Sequence, residues 1–171
     1  MLAFVTVGTF QFDLLVQTVL SEPVLLALRS RGYANLVVQC GNSSFEQANA
    51  IAGGETVTFQ KHGVDIELWK FKLSLGEDYR RADLVIGHAG AGTILDVLRL
   101  EKPLIVVPNP TLLHNHQTEL ASALAKLHHL ATSALSDLAE SIESFDSAAM
   151  AKFEPFNGGR FRELVDQEMG F

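Results

Sequence analysis

Ala82-Asp-Leu-Val-Ile-Gly-His-Ala-Gly-Ala-Gly-Thr-Ile-Leu-Asp-Val-Leu98 joins three local signals in one stretch. The apolar run 84–86 reads as a strand buried on both faces. Gly87, Gly90 and Gly92 follow it as a loop, and a helix is expected from Thr93. Glycines let backbone approach a ligand closely and turn successive N–H groups toward it. The start of the helix adds a partial positive charge. Together these features form a cradle for an anion, and a diphosphate suits it. The spacing is neither G-x-G-x-x-G nor a P-loop, since no lysine follows the glycines. A tight strand–helix turn without a ligand is the alternative reading of the same loop.

Outward from this stretch, short apolar runs alternate with longer helical ones. Strands are expected over 2–7, 36–39, 57–59, 66–71, 84–86 and 104–107, and helices over 14–31, 93–100 and 115–128. Strand–helix alternation of this kind gives an α/β fold, a parallel sheet with right-handed crossovers and helices on both faces. Gly32, after Arg29 and Arg31, ends the first helix. Ser136 is the expected N-cap of a helix over 137–144. A break at 156–159 precedes a short charged helix over 160–168, with Phe161, Leu164 and Val165 at helical spacing. That stripe is too small to form a core by itself, so it is expected to dock on this domain or on a partner.

The chain has 171 residues, 47% of them hydrophobic and 19% charged, which excludes a disordered or fibrous protein. The single cysteine, Cys40, excludes an intrachain disulfide scaffold and reads as a small buried hydrophobe. The net charge is −7, and from residue 137 onward eight acidic residues face three basic ones. Such a balance argues against a nucleic-acid partner. It also divides the chain into a near-neutral globule, 1–135, and an acidic helical extension, 136–171, expected to dock on a partner. No run of eighteen apolar residues is present, so no direct membrane span is expected. The first residues read as a strand rather than a targeting segment.

Several side chains fall near the glycine loop in such a fold. Asp96, one turn into the helix, can accept both hydroxyls of a ribose, or it is a solvated helix acid. Asn115, His116 and Gln117 fall at a helix start after the next strand, where uncharged polar groups can bind sugar hydroxyls. For His114 and His116 the alternative is a solvent-facing polar side chain or an N-cap. Gly8 and Thr9, at the end of the first strand, can add donors to the phosphate region, or they form a simple turn. His114 and His116 have no third ligand at close spacing, so no metal site is expected.

Phe4-Val-Thr-Val-Gly-Thr, residues 82–93, Lys102-Pro-Leu-Ile-Val-Val-Pro and His114-Asn-His-Gln-Thr-Glu-Leu-Ala together resemble one family. It is that of the cytosolic catalytic subunit of the two-part UDP-N-acetylglucosamine transferase of dolichol-linked oligosaccharide synthesis. That family is similar to the donor-binding C-terminal lobe of the bacterial peptidoglycan N-acetylglucosaminyltransferase, a GT-B enzyme of glycosyltransferase family 28. The resemblance spans residues 2–135 in order. It implies a single Rossmann-like GT-B lobe that binds a nucleotide sugar. It also implies inverting transfer of GlcNAc from UDP-GlcNAc to GlcNAc-diphosphodolichol at the cytosolic face of the endoplasmic reticulum. A separate membrane-anchored subunit would supply the acceptor lobe, and no cofactor or essential metal is implied.

By position, Gly90, Ala91, Gly92 and Thr93 would hold the diphosphate with His88 beside them. Asp96 stands where the family has glutamate on the ribose. Asn115, His116 and Gln117 would meet the GlcNAc hydroxyls, and the Phe71 backbone would meet uracil. His88 is the candidate general base, and a base on the partner lobe is the alternative. A two-subunit bacterial exopolysaccharide transferase or a non-catalytic nucleotide-sugar-binding module would carry the same motifs.

Overall fold

The computed structural model describes residues 1–51, 55–109 and 116–154 together with Gln167 and Met169, and of His116 the backbone only. Asn115, the His116 side chain and the expected helix over 160–168 therefore lie outside the described residues.

Seven strands form one sheet: β1 Leu2–Thr6, β2 Asn35–Gln39, β3 Val57–Lys61, β4 Val64–Trp69, β5 Leu84–His88, β6 Leu104–Val107 and β7 Ala131–Thr132. Their spatial order is β3-β4-β2-β1-β5-β6-β7. Every pair is parallel except β3 with β4. That exception corrects the all-parallel expectation. His62 and Gly63 both take positive φ, 49° and 74°, between β3 and β4. A two-residue turn of that kind matches strand twist and closes a hairpin, so no crossover helix is needed.

The side chains of the strands alternate between the two faces, and each face builds its own core. Ala3 and Val5 of β1, Leu36 and Val38 of β2, and Leu84 and Ile86 of β5 enter one cluster. It is covered by α1 Asp13–Val19, α2 Glu22–Ser30 and α7 Leu138–Ser144. Phe4, Val37, Val85 and Val106 enter the other, under α4 Gly76–Arg81, α5 Ala91–Arg99 and α6 His116–Lys126. The short α3, Glu46–Asn49, adds Ala48 to the first cluster.

The single helix expected over 14–31 is two helices. Pro23 has no N–H to give and sits in the first turn of α2, where none is required. The break is held by the Ser21 hydroxyl, which donates to the Thr18 carbonyl at 2.6 Å. Gly32 ends α2 as expected, at φ 86°, with the Tyr33 N–H donating to the Leu28 carbonyl. Helix α5 starts at Ala91, two residues before the expected start, with Gly90 in the capping position. Ser136 does not cap α7. Asp137 holds that position, and the Ser136 hydroxyl donates to its carboxylate at 2.7 Å.

The boundary expected at 135/136 falls inside the packed unit. Leu138, Ile142 and Phe145 are buried in the first core, and the Arg31 guanidinium donates to the Phe145 carbonyl at 2.7 Å. The acidic residues Glu140 and Glu143 occupy the outer face of α7. A Leu138→Ala variant of the full chain is expected to lose about 2–4 kcal/mol in chemical denaturation. A loss below about 1 kcal/mol would place α7 outside the cooperative unit.

Candidate functional site

The strand order reverses at β1. Chain continues from β1 to β2 on one side, while β5 pairs with its other edge. Ligand crevices in open α/β sheets form beyond the carboxyl ends of strands at such a point. A cleft of about 820 Å³ lies there. Gly8, Thr9, His88, Gly90, Ala91, Gly92, Thr93 and Asp96 all line it, and so does Phe71. Gln117 does not. Its side-chain carbonyl accepts from the Asn109 N–H at 3.4 Å, at the neighbouring end of β6.

The glycine loop works differently from a row of equivalent amides. The Gly90 N–H donates back to the His88 carbonyl at 2.8 Å, and the Gly90 carbonyl accepts the first helical bond from Ile94. Its amide is therefore spent inside the protein. The N–H groups of Ala91, Gly92 and Thr93 open α5 and have no acceptor among the described residues. A helix leaves its first N–H groups unpaired, and here they border the cleft. Gly8 is spent likewise, since its N–H donates to the Gln39 side-chain oxygen at 2.9 Å. The amide and hydroxyl of Thr9 have no partner among the described residues, so Thr9 is the donor that this loop offers.

His88 explains why two of the glycines are required. A Cβ on Gly90 would lie 2.3 Å from the His88 Nε2, and one on Gly8 would lie 2.8 Å from its Cε1. The ring is thus clasped by two stretches of bare backbone, with Phe10 tilted against it at 5.7 Å between centroids. It is 5% exposed, and its Nδ1 is buried with no hydrogen-bond partner. Burial pushes the imidazole below the usual histidine range, against an opposing contribution from the Thr6 backbone.

Some cleft residues gave no signal in the sequence. Gln39 ends a strand, and Tyr79, Arg80 and Arg99 come from the last turns of α4 and α5. Lys72 also lines the wall. Its ammonium donates to the buried Asp78 carboxylate at 2.8 Å and lies 4.0 Å from the centre of the Trp69 ring. This pair ties the loop after β4 to α4. No group of three or more His, Cys, Asp or Glu that could hold a metal stands together among the described residues.

Because burial lowers the His88 pKa in the folded chain, the unfolded chain takes up its proton first as pH falls. Stability present above the ordinary histidine value of about 6.5 is then lost below it, by at most about 1.4 kcal/mol per pH unit. The slope between pH 6.5 and 5 is expected to be steeper in the parent than in His88→Gln. Equal slopes in denaturant titrations would show that the ring protonates inside the fold.

The glycosyltransferase family 28 C-terminal domain matches residues 2–167. The UDP-N-acetylglucosamine transferase subunit ALG13 of Cryptococcus neoformans is 34% identical, covering 98% of this chain and 96% of its own length. The mouse ALG13 subunit is 43% identical over 128 residues, which are 75% of this chain. That stretch is 10% of the mouse protein, so the chain spans about a tenth of the mammalian relatives it matches. The NMR solution structure of ALG13 superposes with a TM-score of 0.69 at 26% identity, covering 96% of this chain and 94% of that one. MurG of Acinetobacter baumannii gives a TM-score of 0.65 at 20% identity over 49% of its length, a likeness of fold alone. With a seven-stranded sheet, a cleft at its switch point and matches along its length, the chain belongs to the glycosyltransferase family 28 C-terminal domain family.

Proposed function

We propose that this chain is the donor-binding, catalytic half of an inverting N-acetylglucosaminyltransferase. It takes GlcNAc from UDP-GlcNAc and passes it to GlcNAc-diphosphodolichol. The reading is carried by one observation: the N–H groups of Ala91, Gly92 and Thr93, without an acceptor among the described residues, border the cleft at the switch point. The names of its relatives, UDP-N-acetylglucosamine transferase subunits, supply the substrate.

In this reading the diphosphate oxygens accept from those amides and from Thr9. As the bond to the sugar breaks, negative charge grows on the UDP leaving group. Fixed donors and the α5 dipole stabilise that charge without reorganising, so a bound metal ion is not needed. Asp96, exposed on the second turn of α5, accepts from the ribose hydroxyls. Asn115, His116 and Gln117 are assigned to the GlcNAc hydroxyls, Gln117 from its place beside Asn109 at the end of β6 and not from the cleft wall, and the Phe71 backbone to uracil. His88 is the candidate base, and burial shifts it toward the neutral form that a base requires. Its place between Gly8 and Gly90 also lets a neutral ring support the leaving phosphate, with the partner supplying the base.

A GT-B enzyme closes two lobes over its donor, and the sheet described here is one lobe. The second is assigned to a membrane-anchored subunit that holds the acceptor and recruits this chain to the cytosolic face of the endoplasmic reticulum. The word subunit in the relatives' names supports a partner. No helix among the described residues is long and apolar enough to cross a membrane, which agrees with an anchor elsewhere.

Asp96→Ala is expected to weaken UDP binding by about 1.5–3 kcal/mol in calorimetry, the scale of a hydrogen bond to a charged group. Unchanged affinity would remove Asp96 from the site. The reading as a whole is tested by transfer of labelled GlcNAc from UDP-GlcNAc to a short-chain GlcNAc-diphospholipid. Transfer is expected with the membrane subunit present, to persist in EDTA, and to be absent from the chain alone. Full turnover by the chain alone would overturn the half-enzyme reading, and loss in EDTA the metal-free one.

A further inference from the structure

Gln39 ends β2 in the middle of the sheet, and its side chain lies in the floor of the cleft with 2% of its surface exposed. A buried carboxamide is costly unless its polar atoms find partners. Here all four positions are filled. Oε1 accepts from the Thr6 hydroxyl at 2.6 Å and from the Gly8 N–H at 2.9 Å. Nε2 donates to the Gly8 carbonyl at 2.8 Å and to the Lys70 carbonyl at 2.7 Å. The partners fix the orientation of the amide, because the N–H only donates and the two carbonyls only accept. A carboxylate would set an oxygen against two carbonyls. An apolar side chain of equal length would leave the Gly8 carbonyl unpaired and the Lys70 carbonyl with the Gly41 N–H alone, while the Gly8 N–H would keep only the Thr6 hydroxyl.

These bonds join two loops that the sheet itself does not connect. Gly8 belongs to the loop after β1, which carries Thr9 and Phe10. Lys70 belongs to the loop after β4, which carries Phe71 and Lys72. β2 lies between those two strands, and both loops stand on the cleft wall. Thr6 extends the chain of contacts. It lies within hydrogen-bonding reach of the Tyr79 hydroxyl, which also reaches Thr93 in the first turn of α5. Side-chain contacts therefore lead beneath the cleft from Thr93 through Tyr79 and Thr6 to Gln39 and the loop after β4.

We propose that Gln39 is a positioning residue that sets the distance between the diphosphate-facing loop at Gly8–Thr9 and the base-facing loop at Phe71. The inference rests on the donor-binding reading and deepens it. Gln39 acts through backbone it holds, and Thr6 and Tyr79 hold Gln39. Losing the carboxamide removes the direct tie between the two loops and leaves their spacing to bonds that pass through Gly41 and Asn42. A ligand that spans both loses affinity, while a ligand seated on one loop keeps it.

The test titrates the full chain with UDP and with inorganic pyrophosphate in the parent, Gln39→Met, Thr6→Val and Thr6→Ser. Circular dichroism checks that each variant is folded. Gln39→Met is expected to bind UDP about tenfold more weakly, the scale of a misplaced contact, with pyrophosphate within about twofold of the parent. Thr6→Ser keeps the donor and is expected to match the parent, whereas Thr6→Val should bind UDP several-fold more weakly. UDP affinity within about twofold of the parent in folded variants would overturn the proposal. So would equal losses for UDP and pyrophosphate, which mark a general structural role. Should Gln39→Met fail to fold, the two Thr6 variants decide by the same criteria. A parent that binds no UDP overturns the donor-binding reading along with this one. A parent that binds UDP beside unaffected variants overturns this one alone.

Discussion

The fold of the cleft depends on how closely backbone can approach the His88 ring. Gly8 and Gly90 clasp it at distances that no Cβ could occupy, and Gly41 repeats the requirement one loop away. A Cβ there would meet the Gly8 carbonyl at 2.6 Å and the Phe10 carbonyl at 2.9 Å. All three glycines therefore serve close packing of loops on one another, and Gly8 and Gly41 also need positive φ. The loops after β1, β2 and β5 become a single stacked layer. The free amides of Ala91, Gly92 and Thr93 are held at the rim of that layer. Amides without an acceptor among the described residues are left at the positions beside these glycines, because those of Gly8 and Gly90 are spent on Gln39 and the His88 carbonyl.

This distinction was not legible in the sequence. A strand, a glycine-rich loop and a helix could be read from 84–98, and they proved to be β5 and α5. The nearly continuous apolar runs marked six strands because strands covered on both faces carry little polar punctuation. Gln39 broke that rule and looked like the polar end of a run. Its meaning needs Gly8 and Lys70, which are 31 residues away on either side. The antiparallel edge was missed because a strand's composition does not state its direction. His62-Gly63 is a poor hairpin signal beside Asn-Gly. Helix α4, six residues long, lacks room for a clear apolar stripe, so Tyr79 and Arg80 went unnoticed. The acidic balance after residue 137 suggested an appendage because net charge does not reveal which face of α7 carries it.

The end of the described chain occupies the other edge of the sheet. The Ala151 N–H donates to the His128 carbonyl, and His129 packs edge-on against Phe153. Lys152 meets Glu101 at 3.1 Å, two residues before Pro103 and the start of β6. Strand starts lie at one edge of a parallel sheet and the cleft at the other. The segment up to residue 154 therefore leaves the cleft mouth uncovered, and Phe10 and Phe71 stand about half exposed there.

Net charge alone would oppose an anionic ligand, since the chain carries −7. The local arrangement decides otherwise. At physiological salt, exposed charges more than about 8 Å apart are largely screened. Among the described residues lining the cleft, Asp96 is the one acid, against Lys72, Arg80 and Arg99. Lys72 is neutralised by the buried Asp78, and Arg80 shares its charge with Glu77 on the surface. Arg99 has no carboxylate partner among the described residues, and it lies on the same helix whose N-terminus opens the site. The lining is thus not acidic on balance: Arg99, one turn along the same helix, offsets Asp96, and the N-terminus of α5 adds a partial positive charge. A carboxylate so placed repels phosphate oxygens and accepts from hydroxyl donors, the charge pattern that the proposed binding of a nucleotide sugar calls for.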